Sequence, residues 1–211
     1  MNKTTGKIGR TGYTLVAVVA LGLTLLTSQS IAQGIGGAML IVALVWLSDI
    51  DIATRRLPNK IVGALALIGA IGVTLSHWAW SAGAFAWMTV PVGPILISPA
   101  VDAALGVALA ALPSLGIAGI YRLVRGRSGF GAGDVKLLAA LGIYLGLYTA
   151  LVLPLAAVLS LIVLGVGAIV RPGTVRLSTT FPFGPFIATA ATVLILWGGP
   201  VWSWCIGWLL P

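Results

Sequence analysis

Long apolar runs, interrupted only by short basic stretches, set what this chain can fold into. Charged residues make up 8% of its 211 residues, against about a quarter in a soluble domain. A chain so poor in charge cannot cover a water-facing surface and is expected to be integral to a membrane. In a bilayer only helices and closed barrels satisfy every backbone N–H and C=O. A barrel would read as alternating segments of about ten residues, and none is visible. The expected fold is therefore all-α: a polytopic membrane bundle forming a single domain over residues 1–211, without a soluble domain or an internal repeat.

Seven runs can be drawn: Tyr13 to Ala32, Gly36 to Ile50, Ile61 to Trp78, Pro99 to Tyr121, Val135 to Tyr148, Ala150 to Val170 and Phe183 to Trp197. With about seven spans, all 12 Lys and Arg residues fall on one side: Lys3, Lys7 and Arg10 before the first; Arg55, Arg56 and Lys60 after the second; Arg122, Arg125, Arg127 and Lys136 between the fourth and fifth; Arg171 and Arg176 after the sixth. The positive-inside rule makes that side cytoplasmic and the orientation N-in, C-out. The net charge of +8 is thus read as topology rather than as an affinity for nucleic acid. Connections 33–35, 79–98 and 149, and the tail after Trp197, are expected outside, with 79–98 lying on or dipping into the membrane. Trp78, Trp80, Trp87, Trp197, Trp202, Trp204 and Trp208 fall near that outer face, as an interfacial belt or as packing residues. Residues 13–32 form the first span or a signal-like segment, and 36–197 form the core.

The four acidic residues are Asp49, Asp51, Asp102 and Asp134. An ionisable group in a span is costly and invites a functional reading. Asp102, at the start of the fourth run, suits a helix N-terminus, where the dipole favours negative charge. Asp51 and Asp134 are far apart in sequence but expected at one depth, each with basic residues nearby. Either each pairs with a neighbouring cation, or the two work together as the acid and base of an aspartic protease. That chemistry needs no metal and no cofactor, and the lone His77 and lone Cys205 provide no cluster of metal ligands. Gly129, Gly131 and Gly133, at alternate positions ahead of Asp134, allow a second backbone to approach closely. The same glycines lack phosphate-loop spacing.

Three motifs carry a family resemblance. "GAGDVKLLAALG" from Gly131 resembles the G-x-G-D motif of the type IV prepilin peptidases, membrane aspartic proteases. "DIATRRLPN", Asp51 to Asn59, is similar to that family's first motif, an aspartate followed after five residues by Leu/Ile-Pro-Asn/Asp. "FPFGPF", Phe181 to Phe186, resembles its late proline-glycine signature. The resemblance runs from about Gly36 to the C-terminus.

That resemblance implies that Asp51 and Asp134 are the catalytic pair. Asp49 is excluded by its motif spacing and because helix residues two apart point about 200° from each other. Gly131, Gly133, Lys136, Pro58 and Asn59 are expected at the substrate. Locally, Pro58 starts the third helix, Asn59 caps it or bonds a neighbouring backbone, and Lys136 tunes Asp134, binds substrate or anchors at the interface. Pro182, Gly184 and Pro185 are expected to shape the entry of the last span, and the segment 122–133 to gate the site. The implied activity is endopeptidase removal of a short basic leader from prepilins or pseudopilins, at the cytoplasmic face of a bacterial inner membrane. The implied partners are that substrate, membrane lipid and a pilus or secretion assembly machinery. Longer family members carry an insertion with paired cysteines that bind zinc, and also methylate the product. No such pair is present here, so methyl transfer is not expected, and the short form resembles peptidases of tight-adherence pili. A non-enzymatic assembly component and a proton-coupled transporter are the alternatives.

Overall fold

The computed structural model describes residues 10–28, 31–81, 98–126, 131–170 and 182–209. Each expected apolar run there is a helix: α1 (Arg10–Thr27), α2 (Ile31–Thr54), α3 (Asn59–Ser81), α4 (Pro99–Arg125), α5 (Ala132–Leu145), α6 (Val152–Val170) and α7 (Gly184–Leu209), with a short 3-10 helix, Gly146–Leu151, between α5 and α6. Among the described residues there is no β-strand. Five stretches are long and apolar enough to cross a membrane: Gln33–Thr54, Asn59–Trp78, Pro99–Val124, Ala132–Val170 and Gly184–Cys205. α1 contributes only the shorter apolar stretch Gly12–Thr27, and α5 and α6 share one continuous stretch of 39 residues.

The helix surfaces suit a solvent that cannot hydrogen-bond. Leu26, Leu112, Leu123, Leu161 and Ile169 are exposed, an apolar exterior far beyond what a water-soluble protein presents. Several hydroxyls on these helices bond back to their own backbone, as Ser48 does to Leu44 O (2.8 Å), Thr74 to Ala70 O (2.8 Å) and Thr192 to Ala188 O (2.8 Å). Such bonds satisfy a polar group that lipid could not. Inside, Leu44 and Leu47 of α2, Leu137, Leu138 and Leu141 of α5, and Ile187, Ala190, Ala191 and Leu194 of α7 form one buried core.

Most boundaries shift by one to several residues from the sequence expectation, the first run ending at Thr27 rather than Ala32, and two shifts change the expected connections. α2 starts at Ile31, ahead of the run at Gly36, so residues 33–35 are helical rather than a loop. The polar start of α2 is held by Thr24 of α1, whose hydroxyl donates to Gly34 O at 2.7 Å. At the other end of the chain, α7 continues through the expected tail to Leu209, bent at Trp197 (φ −132°, ψ 25°). Pro200 explains the bend: it has no N–H for the carbonyl four residues earlier and its ring crowds that carbonyl. The stretch 79–98 lies largely outside the described residues, as do residues 127–130 of the expected gating segment.

α4 and α5 run antiparallel. Gly106 meets Gly142 and Gly146 backbone to backbone, and Asp102 receives the N–H of Leu147. α3 lies alongside α5 in the parallel sense: Leu57, just ahead of α3, packs by Gly133, and Gly69 packs by Tyr144. The C-terminal ends of α2 and α4 therefore share one end of the bundle with the N-terminal ends of α3 and α5.

Candidate active site

Asp51 sits in the last turn of α2 and is 5% exposed. Its carboxylate oxygen Oδ2 accepts the backbone N–H of Gly184 at 3.1 Å. Gly184 is the first residue of α7, and its N–H is one of the donors a helix leaves unsatisfied at its start. The contact joins residues 133 positions apart. It also places the carboxylate at the positive end of the α7 dipole. A side chain at position 184 would intrude: its Cβ would lie 2.6 Å from Asp51 Oδ2.

Asp134 lies in the first turn of α5 and is half-buried. Gly131, with extended backbone, starts that turn through its carbonyl, which accepts from the N–H of Asp134 (3.0 Å) and of Val135 (3.2 Å). A Cβ on Gly131 would meet Asp134 Oδ2 at 2.8 Å. Gly133 faces the loop after α2, where its own Cβ would lie 3.1 Å from Leu57 Cβ. Two elements carrying separate motifs are thus packed together.

Asp49 points elsewhere. Buried on the opposite face of α2, it accepts the Tyr13 hydroxyl of α1 at 2.8 Å, whereas Asp51 turns to α7. The chain leaves α2 through Arg55, which has a left-handed backbone (φ 52°). Pro58 then begins α3, its carbonyl accepting from the N–H groups of Ile61 (3.0 Å) and Val62 (3.2 Å). Asn59 directs its side-chain oxygen to Lys136 Nζ at 3.0 Å, so it ties α3 to α5 where capping or a backbone bond was expected. Lys136 Nζ is thus engaged by α3. Among the described residues neither Asp51 nor Asp134 forms an ion pair with a lysine or arginine.

Gly184 and Tyr13 are the neighbours sequence reading did not supply. The proline-glycine signature pointed to the entry of α7, which Gly184 does begin, but gave no sign that its N–H reaches Asp51. Phe183 starts the helix through its carbonyl, which accepts from Phe186 (3.0 Å) and Ile187 (3.2 Å), while Phe181 lies outside the described residues. Among the described residues no three His, Cys, Asp or Glu side chains converge on a metal position.

Residues 38–169 match the sequence profile of the type IV leader peptidase family. Among curated proteins, the chain is similar to the prepilin leader peptidase/N-methyltransferase of Aeromonas salmonicida strain A449, with 30% identity over 206 residues that cover 94% of this chain and 62% of that protein. It is likewise similar to proteins of the same description from Xanthomonas campestris pv. campestris (32% identity, 79% of this chain, 51% of that protein) and Pseudomonas aeruginosa (33%, 78% and 51%). The chain thus spans between about half and three fifths of the length of these relatives. No solved structure matches it.

Proposed function

The chain belongs to the type IV leader peptidase family, and from that premise we propose that it is a membrane aspartic endopeptidase acting on prepilins or pseudopilins, with Asp51 and Asp134 as its catalytic pair. The observation that carries this reading is the placement of the two carboxylates. They come from different helices and different motifs and sit at the same end of the bundle, on elements that pack together through Gly133 and Leu57. Neither is neutralised by a cation among the described residues. Each stands at a helix start, Asp51 against α7 and Asp134 within α5.

In the proposed reaction the two carboxyl groups hold one proton between them. The ionised member takes a proton from water, which attacks the scissile carbonyl. The protonated member polarises that carbonyl and then protonates the leaving amine, so the pair ends with one proton as it began. Gly184 N–H fixes the Asp51 carboxylate in this arrangement. Gly131 and Gly133 keep the approach to Asp134 low. The Lys136–Asn59 bridge, with Pro58 before it, frames the edge at which substrate would enter.

The same end of the bundle carries Arg55, Arg56, Lys60, Arg122 and Lys136. By the positive-inside rule it faces the cytoplasm, where a short basic leader precedes the hydrophobic helix of its substrate. The N-in, C-out orientation in an inner membrane, with each of α1–α7 crossing it, belongs to this reading. So does leader removal for a tight-adherence pilus or a secretion pseudopilus. Methyl transfer, named for the relatives, is not carried over, because the paired cysteines that the resemblance associates with it have no counterpart: Cys205 is the single cysteine.

The test is co-expression with candidate prepilins, with leader removal read by mass spectrometry. Wild type is expected to cleave, and Asp51→Asn and Asp134→Asn to lose at least about 10²-fold in rate, the lower range for removal of a general acid or base. The new N-terminus is expected to be unmethylated. Cleavage unchanged in both variants would overturn the assignment and return the chain to an assembly or transport role.

A further inference from the structure

Asp102 is buried, ionisable and remote from the site. It lies in the first turn of α4, after the Ser98 cap and Pro99, and is 7% exposed. There the dipole of its own helix favours the carboxylate, as expected. Its carboxylate also reaches across to α5 and accepts the N–H of Leu147 at 3.0 Å. Leu147 follows Gly146, which ends α5 with a positive φ of 52° and returns its own N–H to Gly142 O.

The carboxylate lies so close over Gly146 that a Cβ there would overlap it. One turn further along α4, a Cβ on Gly106 would overlap the Gly142 carbonyl and lie 2.7 Å from Gly146 Cα. A Cβ on Gly142 would lie 2.5 Å from Val107 N. α4 and α5 are therefore in backbone contact at this point and cannot slide past each other without collision. The Asp102 bond adds directional restraint, since a buried carboxylate and an amide N–H each lose more when left unpaired than a surface pair would.

The other end of α5 carries Asp134. The helix is continuous from Ala132 to Leu145, so a shift or rotation at Gly146 is transmitted along it with little loss. Misplacement of a reacting group by 1 Å is enough to cost about 10²-fold in rate. We propose that Asp102 is a positioning residue for the peptidase reaction: its bond to Leu147 N–H sets the axial and rotational position of α5, and so the placement of Asp134 opposite Asp51. The inference rests on the catalytic reading of Asp51 and Asp134. It adds a third acid, remote from the pair, that acts through the helix.

The experiment uses full-length protein in native membranes and a prepilin substrate, with kcat and KM measured separately. Asp102→Leu keeps the volume and removes the acceptor. It is expected to lower kcat at least about tenfold while KM stays within about twofold. Asp102→Asn, which keeps an oxygen to accept Leu147 N–H, is expected to restore kcat to within about threefold of wild type. If Asp102→Leu does not accumulate, Asp102→Ser takes its place, with a hydroxyl too short to reach, and the same loss is expected. Wild-type kcat in the acceptor-less variant overturns the proposal. Equal loss in Asp102→Asn, or a rise in KM with kcat unchanged, also overturns it. A wild type that cleaves no prepilin overturns the peptidase reading and the inference with it, whereas normal wild-type cleavage with an indifferent Asp102→Leu overturns the inference alone.

Discussion

At the scale of single residues, the candidate site turns on which oxygen meets which donor. Asp51 Oδ2 bonds the first N–H of α7, and Gly184 is tolerated there because it has no side chain. Gly184→Ala would bring a methyl group to 2.6 Å from that oxygen and push the carboxylate out of place. It is expected to lower kcat by about 10² while the protein still reaches the membrane, measured by leader removal against immunoblotted protein. Gly133 is similarly confined, by Leu57. Gly133→Leu is expected to abolish cleavage without loss of membrane-inserted protein, by prying α5 away from the loop that follows Asp51. The two aspartates stand out in the sequence because carboxylates are rare in this chain and their motifs are spaced. The donor from Gly184 does not: a backbone N–H has no side-chain signature, and nothing local at position 184 points to a partner 133 residues earlier. The Tyr13–Asp49 bond was hidden for a related reason. Position on a helix predicted that Asp49 faces away from Asp51, but not what it faces.

Helix ends account for most of what the apolar runs left open. Seven runs predicted seven helices, because a span in lipid must satisfy its own backbone and its apolar length is visible directly. Some ends depend on tertiary bonds, Thr24 to the start of α2 and Asn59 of α3 to Lys136, and others on local proline chemistry, Pro58 ahead of α3 and Pro200 at the bend of α7. The end of α2 carries a cost. Arg55 holds a left-handed backbone (φ 52°), a conformation that costs an L-residue roughly 1–2 kcal/mol and costs glycine almost nothing. Arg55→Gly is therefore expected to raise resistance to denaturant in detergent by about 1 kcal/mol. Arg55→Ala, which retains the Cβ, is expected to give no such gain. A larger gain from alanine than from glycine would show that the charge, rather than the backbone, governs stability there.

At the scale of the molecule, the five long apolar stretches and the clustering of basic residues at the end that holds Asp51 and Asp134 make a topological prediction. Lys60 is exposed on that end and Ser203 on the opposite one. In a Cys205→Ser background, Ser203→Cys is expected to react with a membrane-impermeant maleimide in intact spheroplasts, and Lys60→Cys only after permeabilisation. The reverse pattern would place the two acids outside the cell and remove a cytoplasmic leader from their reach. The contact between α2 and α7 has a further consequence for how the protein comes into being. Asp51 and Asp134 both leave the ribosome before the segment that bears Gly184. A nascent chain arrested after α6 would hold both acids in the bilayer and still lack the donor that orients one of them. On the proposed reading, the catalytic arrangement is complete only once the final helix has been made, and a chain arrested before it is expected not to cleave.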